Sequence, residues 1–586
     1  MKTKYLLLLI TLVSLLLRLY QISNYPPLLW DEAALGYNAY SILKTARDEH
    51  GTFLPLIFKS FGDYKPGLYV YLATPFVALL GLTPLAVRLP SLILGSLLPL
   101  FLYSLIIQID PKSKKLALLS ALILAFNPIN IHFSKGAWET NILTVELVLA
   151  SLFFFKQKYF VSALIFASTL YTYQGSKMTS LLLITILLLI RLDLSKPFSS
   201  VIPPVRLWKR LIRNLKNLFK DFFLPLFILA LPITYGLLFN SDSNRLKVVS
   251  LFSYPRSQAE TQQIVSESGR LDYQIFHNHF IFFVRNFASR YFNHFSPKFL
   301  TFQGDWQNPR HSAPYIGILL YPSLIFFTIG LFTPHKLLKK FFLLWLLLAP
   351  IPAALTRDSV HTVRAMSLSI PLVFFTALGL YQFLKKLSHS SEGKSLLRGD
   401  PKGLPGRCDD RFGSPDGVFT ALGLYQTIHR RGRLGYLGGA LVFYSLSFFY
   451  YSDLYYNHMV KTNPMQFLYG QQQASKYLVD NQSKYRHIYF TNFYGQPYIY
   501  YLFYSRYPPA NYQSQVNLSE NNQGDTGTVD RIDNISFTST PHPDSLPAHS
   551  LAVYSHDELL RLNLDPKNFL PLSPINNIST FYAYHN

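Results

Sequence analysis

The chain reads as a polytopic α-helical membrane protein with about eleven transmembrane helices, an outer-loop juxtamembrane helical region and a C-terminal extracytoplasmic mixed α/β domain. Three observations predict this. Charged residues make up only 15% of the sequence, against about 25% in a soluble domain. Apolar runs close to the ~20 residues a span needs recur along the chain. A strongly basic total, +23 at pH 7, is concentrated in alternate loops. Mean hydropathy of +0.18 is too low for a chain that is membrane throughout, so long polar loops and a polar tail are expected.

The runs lie near 5–22, 89–107, 116–133, 141–155, 159–174, 178–190, 222–239, 314–332, 341–355, 365–384 and 434–452. In the first, Lys2 and Lys4 precede an apolar stretch, with Arg18 and Tyr20 at its end and no small-residue cleavage pattern after it. That favours an uncleaved span over a signal peptide. A twelfth run, 67–82, is interrupted by Pro75 and Gly81. Lys and Arg gather in cytoplasmic loops, and this decides its status. If 67–82 does not cross, the inner loops hold Lys112, Lys114 and Lys115, Lys156 and Lys158, the basic 191–221 stretch, Lys336, Lys339 and Lys340, and Lys385 and Lys386. If it crosses, the bias reverses. The run is therefore expected to be re-entrant or flat on the outer surface. The same map explains the positive charge by topology and leaves no reason to invoke nucleic acid.

The expected organisation is a membrane module over 1–390 with outer loops 23–88 and 241–312. A cytoplasmic insertion over 391–433, a last span over 434–452 and an extracytoplasmic domain over 453–586 follow. Alternating runs at His487–Thr491 and Ala552–Tyr554 read as strands, and Gln466–Asp480 reads as helix. Phe375–Gln382 recurs identically as Phe419–Gln426 around a Gly/Pro/Asp/Arg-rich stretch, 399–417. This pattern suggests an insertion that duplicated its target, with the first copy as the membrane helix. The single cysteine, Cys408, excludes an intramolecular disulfide.

Ionisable residues beside spans need a reason. Asp31 and Glu32 follow the first span; they suit a general base or part of a metal site, or equally an N-terminal cap with Asp31 opening a helix. Lys65, Arg88, Lys135, Glu139, His361 and Arg364 fall on the same expected face. Cations converging with carboxylates suit a phosphate leaving group and a nucleophile to be deprotonated. ATP-binding, zinc-protease, paired-cysteine and serine-hydrolase motifs are absent.

Trp30-Asp31-Glu32, then Asp63-Tyr64-Lys65-Pro66-Gly67, then Val87-Arg88-Leu89-Pro90-Ser91 resemble the GT-C superfamily of membrane glycosyltransferases. The likeness is to protein O-mannosyltransferases and lipid A aminoarabinose transferases. It implies an inverting transfer of a sugar from a polyprenyl-phosphate donor to an acceptor. Asp31 would orient or deprotonate that acceptor, with Glu32 beside it. Lys65 would hold the donor phosphate, with Arg88 and Arg364 as further phosphate ligands. Glu139 and His361 would be supporting residues or ligands of a divalent cation. The chain departs from the pattern at Gly67, where many relatives have a second proline, and at Glu139, where an aspartate is usual. The tail lacks a Trp-Trp-Asp motif. A flippase for lipid-linked sugars and a surface-polysaccharide polymerase or ligase are the competing readings. The first should carry polar groups at mid-membrane depth; the second would use the 241–312 loop.

Overall fold

The computed structural model describes residues 2–194, 216, 218–239, 249–389, 438–516, 518–520, 527–576 and 578–586. The 399–417 insertion, the second repeat copy and most of the basic 191–221 stretch lie outside the described residues.

Helices overlap each of the eleven apolar runs, and among the described residues four helices, or five if a bent pair is one span, are long and apolar enough to cross a membrane. Helix α1 (Lys2–Leu19) leads into a loop. Then come α2 (Trp30–Thr45), the hairpin β1 (Ile57–Ser60) and β2 (Asp63–Pro66), α3 (Leu68–Leu80) and the long α4 (Pro84–Ile109). The third run is broken into Lys114–Ala125 and Pro128–Ser134, which meet at a bend of 58°. Pro128 sits at the start of the second piece, where its fixed φ suits a first helical turn. The run at 314–332 is helical only from Tyr321.

The interior joins these helices through apolar side chains, and glycine sets the closest approach. Tyr321–Phe332 and Ser369–His389 cross at Gly330 and Gly379. A Cβ on Gly330 would lie 1.9 Å from the Phe375 carbonyl oxygen, and one on Gly379 1.8 Å from that of Phe326. The first repeat copy, Phe375–Gln382, is thus part of a helix that packs backbone against backbone. One carboxyl does sit within an expected span: Glu146 accepts hydrogen bonds from the Ser168 and Thr172 hydroxyls, both 2.7 Å.

Helix α2 is apolar nearly all round because it is enclosed on several sides. It packs on α3, on α4 and on Pro497–Ser505 from the tail. Its first turn holds Asp31 and Glu32, favourably placed against the N-terminal end of the helix dipole. It ends at Ala46 in the left-handed region (φ 55°). The β1–β2 hairpin turns through Phe61 (φ 56°) and Gly62 (φ 81°), the two positive φ angles of a tight hairpin. Its register sets Phe58 opposite Lys65.

The tail carries a six-stranded sheet in the order Arg531–Ile532, Ile535–Ser536, His487–Phe490, Ser550–Ser555, Phe581–His585, Leu570–Pro571. His487–Phe490 runs parallel to both neighbours; the remaining pairs are antiparallel. Gln471–Asn481 and Pro497–Ser505 pack together beside it.

Gly379→Val should lower the thermal unfolding midpoint in detergent. Overpacking costs about 1–3 kcal/mol in ordinary cores, and here the obstructing atoms are backbone. An unchanged midpoint would mean that the two helices do not depend on this crossing.

Candidate functional site

Two ion pairs of opposite character stand side by side at the start of α2. Asp31 pairs through Oδ1 with the Lys65 ammonium and accepts through Oδ2 from Trp30 Nε1 at 3.1 Å. Both members remain partly open, the side chains being 35% and 18% exposed. The hairpin carries Lys65 to this point, with its Nζ 5.3 Å from the centre of the Phe61 ring. Gln174 holds the hairpin by donating to the Tyr64 carbonyl.

Glu32 is closed. Its carboxylate accepts from Arg88 Nε (2.8 Å), Arg88 Nη2 (2.7 Å), the Ala137 amide (2.8 Å) and the Leu29 amide (3.1 Å). Arg88 spends its remaining donors on the carbonyls of Ile22 (2.7 Å) and Pro27 (3.3 Å) and is fully buried. The structure therefore departs from expectation at three points. Glu32 is not open to an acceptor, because four donors saturate it. Arg88 is not open to a phosphate, because its guanidinium is used up inside the protein. Helix α2 starts at Trp30, and the residue reaching back to its N-terminal amides is Glu32, not Asp31.

Three acids act on Lys65: Asp31 and Glu139, both partly buried, and Glu49, which is buried. Burial works against its ammonium, but Asp31, then Glu139 and Glu49, outweigh that and hold its proton more tightly than usual. Burial pushes the Glu139 carboxyl up to about 7, opposed by Lys65 and reinforced by Asp31. Glu139 opens the helix Glu139–Phe155. Glu49, fully buried, accepts from Asn38 Nδ2 at 3.2 Å. Burial pushes it up to about 8, opposed by Asn38 and Lys65, with Asp48 adding to the rise.

The other predicted cations divide. Lys135 lies away from the acids: it donates to the Tyr20 carbonyl and, at 3.1 Å, to the Tyr456 hydroxyl. Burial lowers it to about 7, with Arg88 and Arg18 repelling the charge. Arg364 donates to Asp358 (2.6 Å) and Thr356 (2.9 Å) and also lies against the Tyr173 hydroxyl. Asp31 and Glu139 act electrostatically on that same hydroxyl, so Arg364 borders their site.

Two groups escaped the sequence reading. Arg310 places its guanidinium 5.7 Å from the centre of the Trp30 ring; among the described residues it has no carboxylate partner. The second is Asp305 with His311, Nδ1 to Oδ2 2.9 Å, beside the predicted His361. The two rings are 5.1 Å apart, and the three side chains could hold a metal ion. Desolvation keeps both imidazoles below the usual range, His361 well below, the neighbouring arginines adding to the effect. The Asp-x-x-Asn-x-Arg-His run from Asp305 to His311 was the available signal; it matches no spacing rule for a helix or strand, so it passed as loop.

The tail also reaches the site. Tyr500 donates to the Leu28 carbonyl at 3.0 Å. Gly495 (φ +115°) faces Trp30 so closely that a Cβ would lie 2.1 Å from its ring.

The profile of the family described as dolichyl-phosphate-mannose-protein mannosyltransferase matches residues 8–188, the stretch holding Asp31, Glu32, Lys65, Arg88 and Glu139. No curated protein matches the chain. Among solved structures, ArnT from Cupriavidus metallidurans in the apo state is similar over 100% of this chain and 98% of that one, at 12% identity and a TM-score of 0.50. The same protein bound to undecaprenyl phosphate is similar over 98% and 97%, again at 12% and 0.50. At that identity the likeness speaks for the fold.

Arg88→Met should cost about 3–5 kcal/mol, since it leaves a buried carboxylate unpaired; Glu32→Gln together with Arg88→Met should cost less than Arg88→Met alone. Denaturant unfolding of the three variants in detergent checks this. A second expectation concerns pH. The native Glu49 carboxyl titrates at about 8 against an ordinary 4.5. Unfolding therefore releases a proton across that window, and stability falls as pH rises through it. Glu49→Gln, which resembles the protonated form, should gain thermal stability over the native chain from about pH 4.5, with the gap widening to about pH 8 and then levelling.

Proposed function

We propose that this chain, which has the fold of the GT-C superfamily of membrane glycosyltransferases, moves a sugar from a polyprenyl-phosphate donor to an acceptor on the outer face of the membrane, with inversion at the anomeric carbon. The observation that carries the reading is the half-open Asp31–Lys65 pair, set beside a guanidinium without a carboxylate partner among the described residues, Arg310. A base and phosphate-binding cations must adjoin for this reaction.

In the resting state Lys65 and Asp31 neutralise each other. A donor phosphate entering beside Lys65 and Arg310 competes for the ammonium and loosens its hold on Asp31, which is then basic enough to accept a proton. The acceptor oxygen attacks the anomeric carbon, its proton passes to Asp31, and the bond from carbon to phosphate oxygen breaks. The departing polyprenyl phosphate carries away the electron pair, and the fixed cations stabilise the negative charge as it grows. Arg364, bordering the site through Tyr173, contributes a second guanidinium, and Glu139 keeps Lys65 protonated. Glu32 and Arg88 act as positioning residues by fixing the turn that presents Asp31. The outward orientation is supported by the loop charges, which favour a cytoplasmic side opposite the 23–88 loop. The activated donor brings the driving force, so no nucleotide is needed.

Proteoliposomes supplied with a labelled polyprenyl-phosphate sugar test the reading. Asp31→Asn should slow transfer by roughly 10²–10⁴-fold while donor binding persists. Arg310→Gln should raise the donor KM by roughly 10-fold or more, the loss of a charge-assisted contact to phosphate, with kcat less affected. If neither variant changes donor turnover, the assignment is wrong.

A further inference from the structure

We propose that Asp305, His311 and His361 form a binding site for a divalent transition-metal ion. Each offers a ligand atom, and the three atoms lie within 4.8 Å of one another. The Asp305 and His311 side chains are 0% and 2% exposed, and that of His361 is 12% exposed.

The surrounding bonds hold these donors in place. Asp305 takes both hydrogen bonds of Asn308 on Oδ1, from the amide (3.0 Å) and from Nδ2 (3.2 Å). The Thr362 amide donates to Oδ2 at 2.8 Å, and the Asp305 amide donates to Ser312 Oγ at 3.1 Å. These contacts bind the 305–312 loop to the turn that carries His361. The backbone of His361 is held in turn by His294 Nε2, which accepts from its amide at 3.2 Å. The Arg364 amide donates to His361 Nδ1 at 3.3 Å, leaving Nε2 as the free end of the ring, 3.9 Å from Asp358 Oδ2. Two imidazoles with a carboxylate favour zinc-class ions over calcium and magnesium, which take oxygen sets.

A simpler use of the Asp305–His311 pair is a loop clamp, with the carboxylate merely orienting the ring. A clamp does not account for His361, whose ring stands 5.1 Å from that of His311 at 49°. Donors around zinc sit about 2.0–2.2 Å from the ion, and Asp305 Oδ2 and His311 Nδ1 already approach to 2.9 Å. Binding requires His361, the most exposed of the three, to turn toward the other two. His311 also lies 5.6 Å from Trp138, and Arg310 beside it covers Trp30. An ion here would add positive charge at the edge of the Asp31–Lys65 site. Binding itself does not rest on the glycosyl-transfer reading.

The full chain, purified with a tag other than polyhistidine and stripped with EDTA, is re-equilibrated with Zn²⁺ or Mn²⁺ and freed of excess metal. Bound metal is counted by elemental mass spectrometry, and Co²⁺ absorption reports the ligand field. The native chain should retain one ion. His311→Gln and His361→Gln should each weaken binding by roughly 10–100-fold or more and lose the metal-dependent rise in Tm, while their metal-free Tm shows them folded. A native chain that retains no stoichiometric metal overturns the proposal, as do histidine variants that bind like the native chain. No sugar donor enters the measurement, so its failure is separate from a failure of transfer.

Discussion

The buried pair of Glu32 and Arg88 is the constraint on which the rest of the site depends. Removing two charges from water costs several kcal/mol per ion, and the protein offsets this by satisfying every polar atom of the pair. Glu32 accepts four hydrogen bonds, and the Arg88 donors go to Glu32 and to two backbone carbonyls. Those partners belong to the loop after α1, the first turn of α2, the start of α4 and the turn at Ala137. A single saturated carboxylate thus fixes four chain segments, and Asp31 inherits its position from them.

That arrangement separates two adjacent acids into different roles. One residue along the helix, Asp31 turns outward toward Lys65 and keeps part of its surface open. Helical geometry makes the division unavoidable, since consecutive residues project about 100° apart at 3.6 residues per turn. Asp31 itself, then Glu139 and Glu49, hold the Lys65 ammonium charged against the desolvation it undergoes. A cation held in that state is suited to an anionic ligand.

The tail participates in the same construction. Gly495 admits the Trp30 ring, and Tyr500 bonds the chain just before it. Arg310 from the long loop lies against that tryptophan as well. The residue preceding Asp31 is therefore gripped by a domain more than 450 residues downstream, and this coupling leaves no local pattern in the sequence.

What the sequence could show was whatever depends on local composition or on period. Apolar runs marked the helices, because burying some twenty residues in lipid demands them. Loop charges suggested which side each loop faces. Alternation at His487–Thr491 and Ala552–Tyr554 disclosed the strands His487–Phe490 and Ser550–Ser555, and position beside the first span and the interfacial run singled out Asp31 and Lys65. The β1–β2 hairpin was not legible, since Phe61 is an unusual residue for a positive φ; packing on Tyr498, with ring centres 6.0 Å apart, accompanies it there. The break before Pro128 and the delayed helix start at Tyr321 were equally hidden. Only the tertiary structure could decide which carboxylate is spent on which cation. Glu32 with Arg88, Asp31 with Lys65 and Arg364 with Asp358 are choices made by geometry over long chain separations, and desolvation makes each one consequential. The sequence alone determined that carboxylates and cations would meet beside a membrane; folding determined which of them remained open to a ligand.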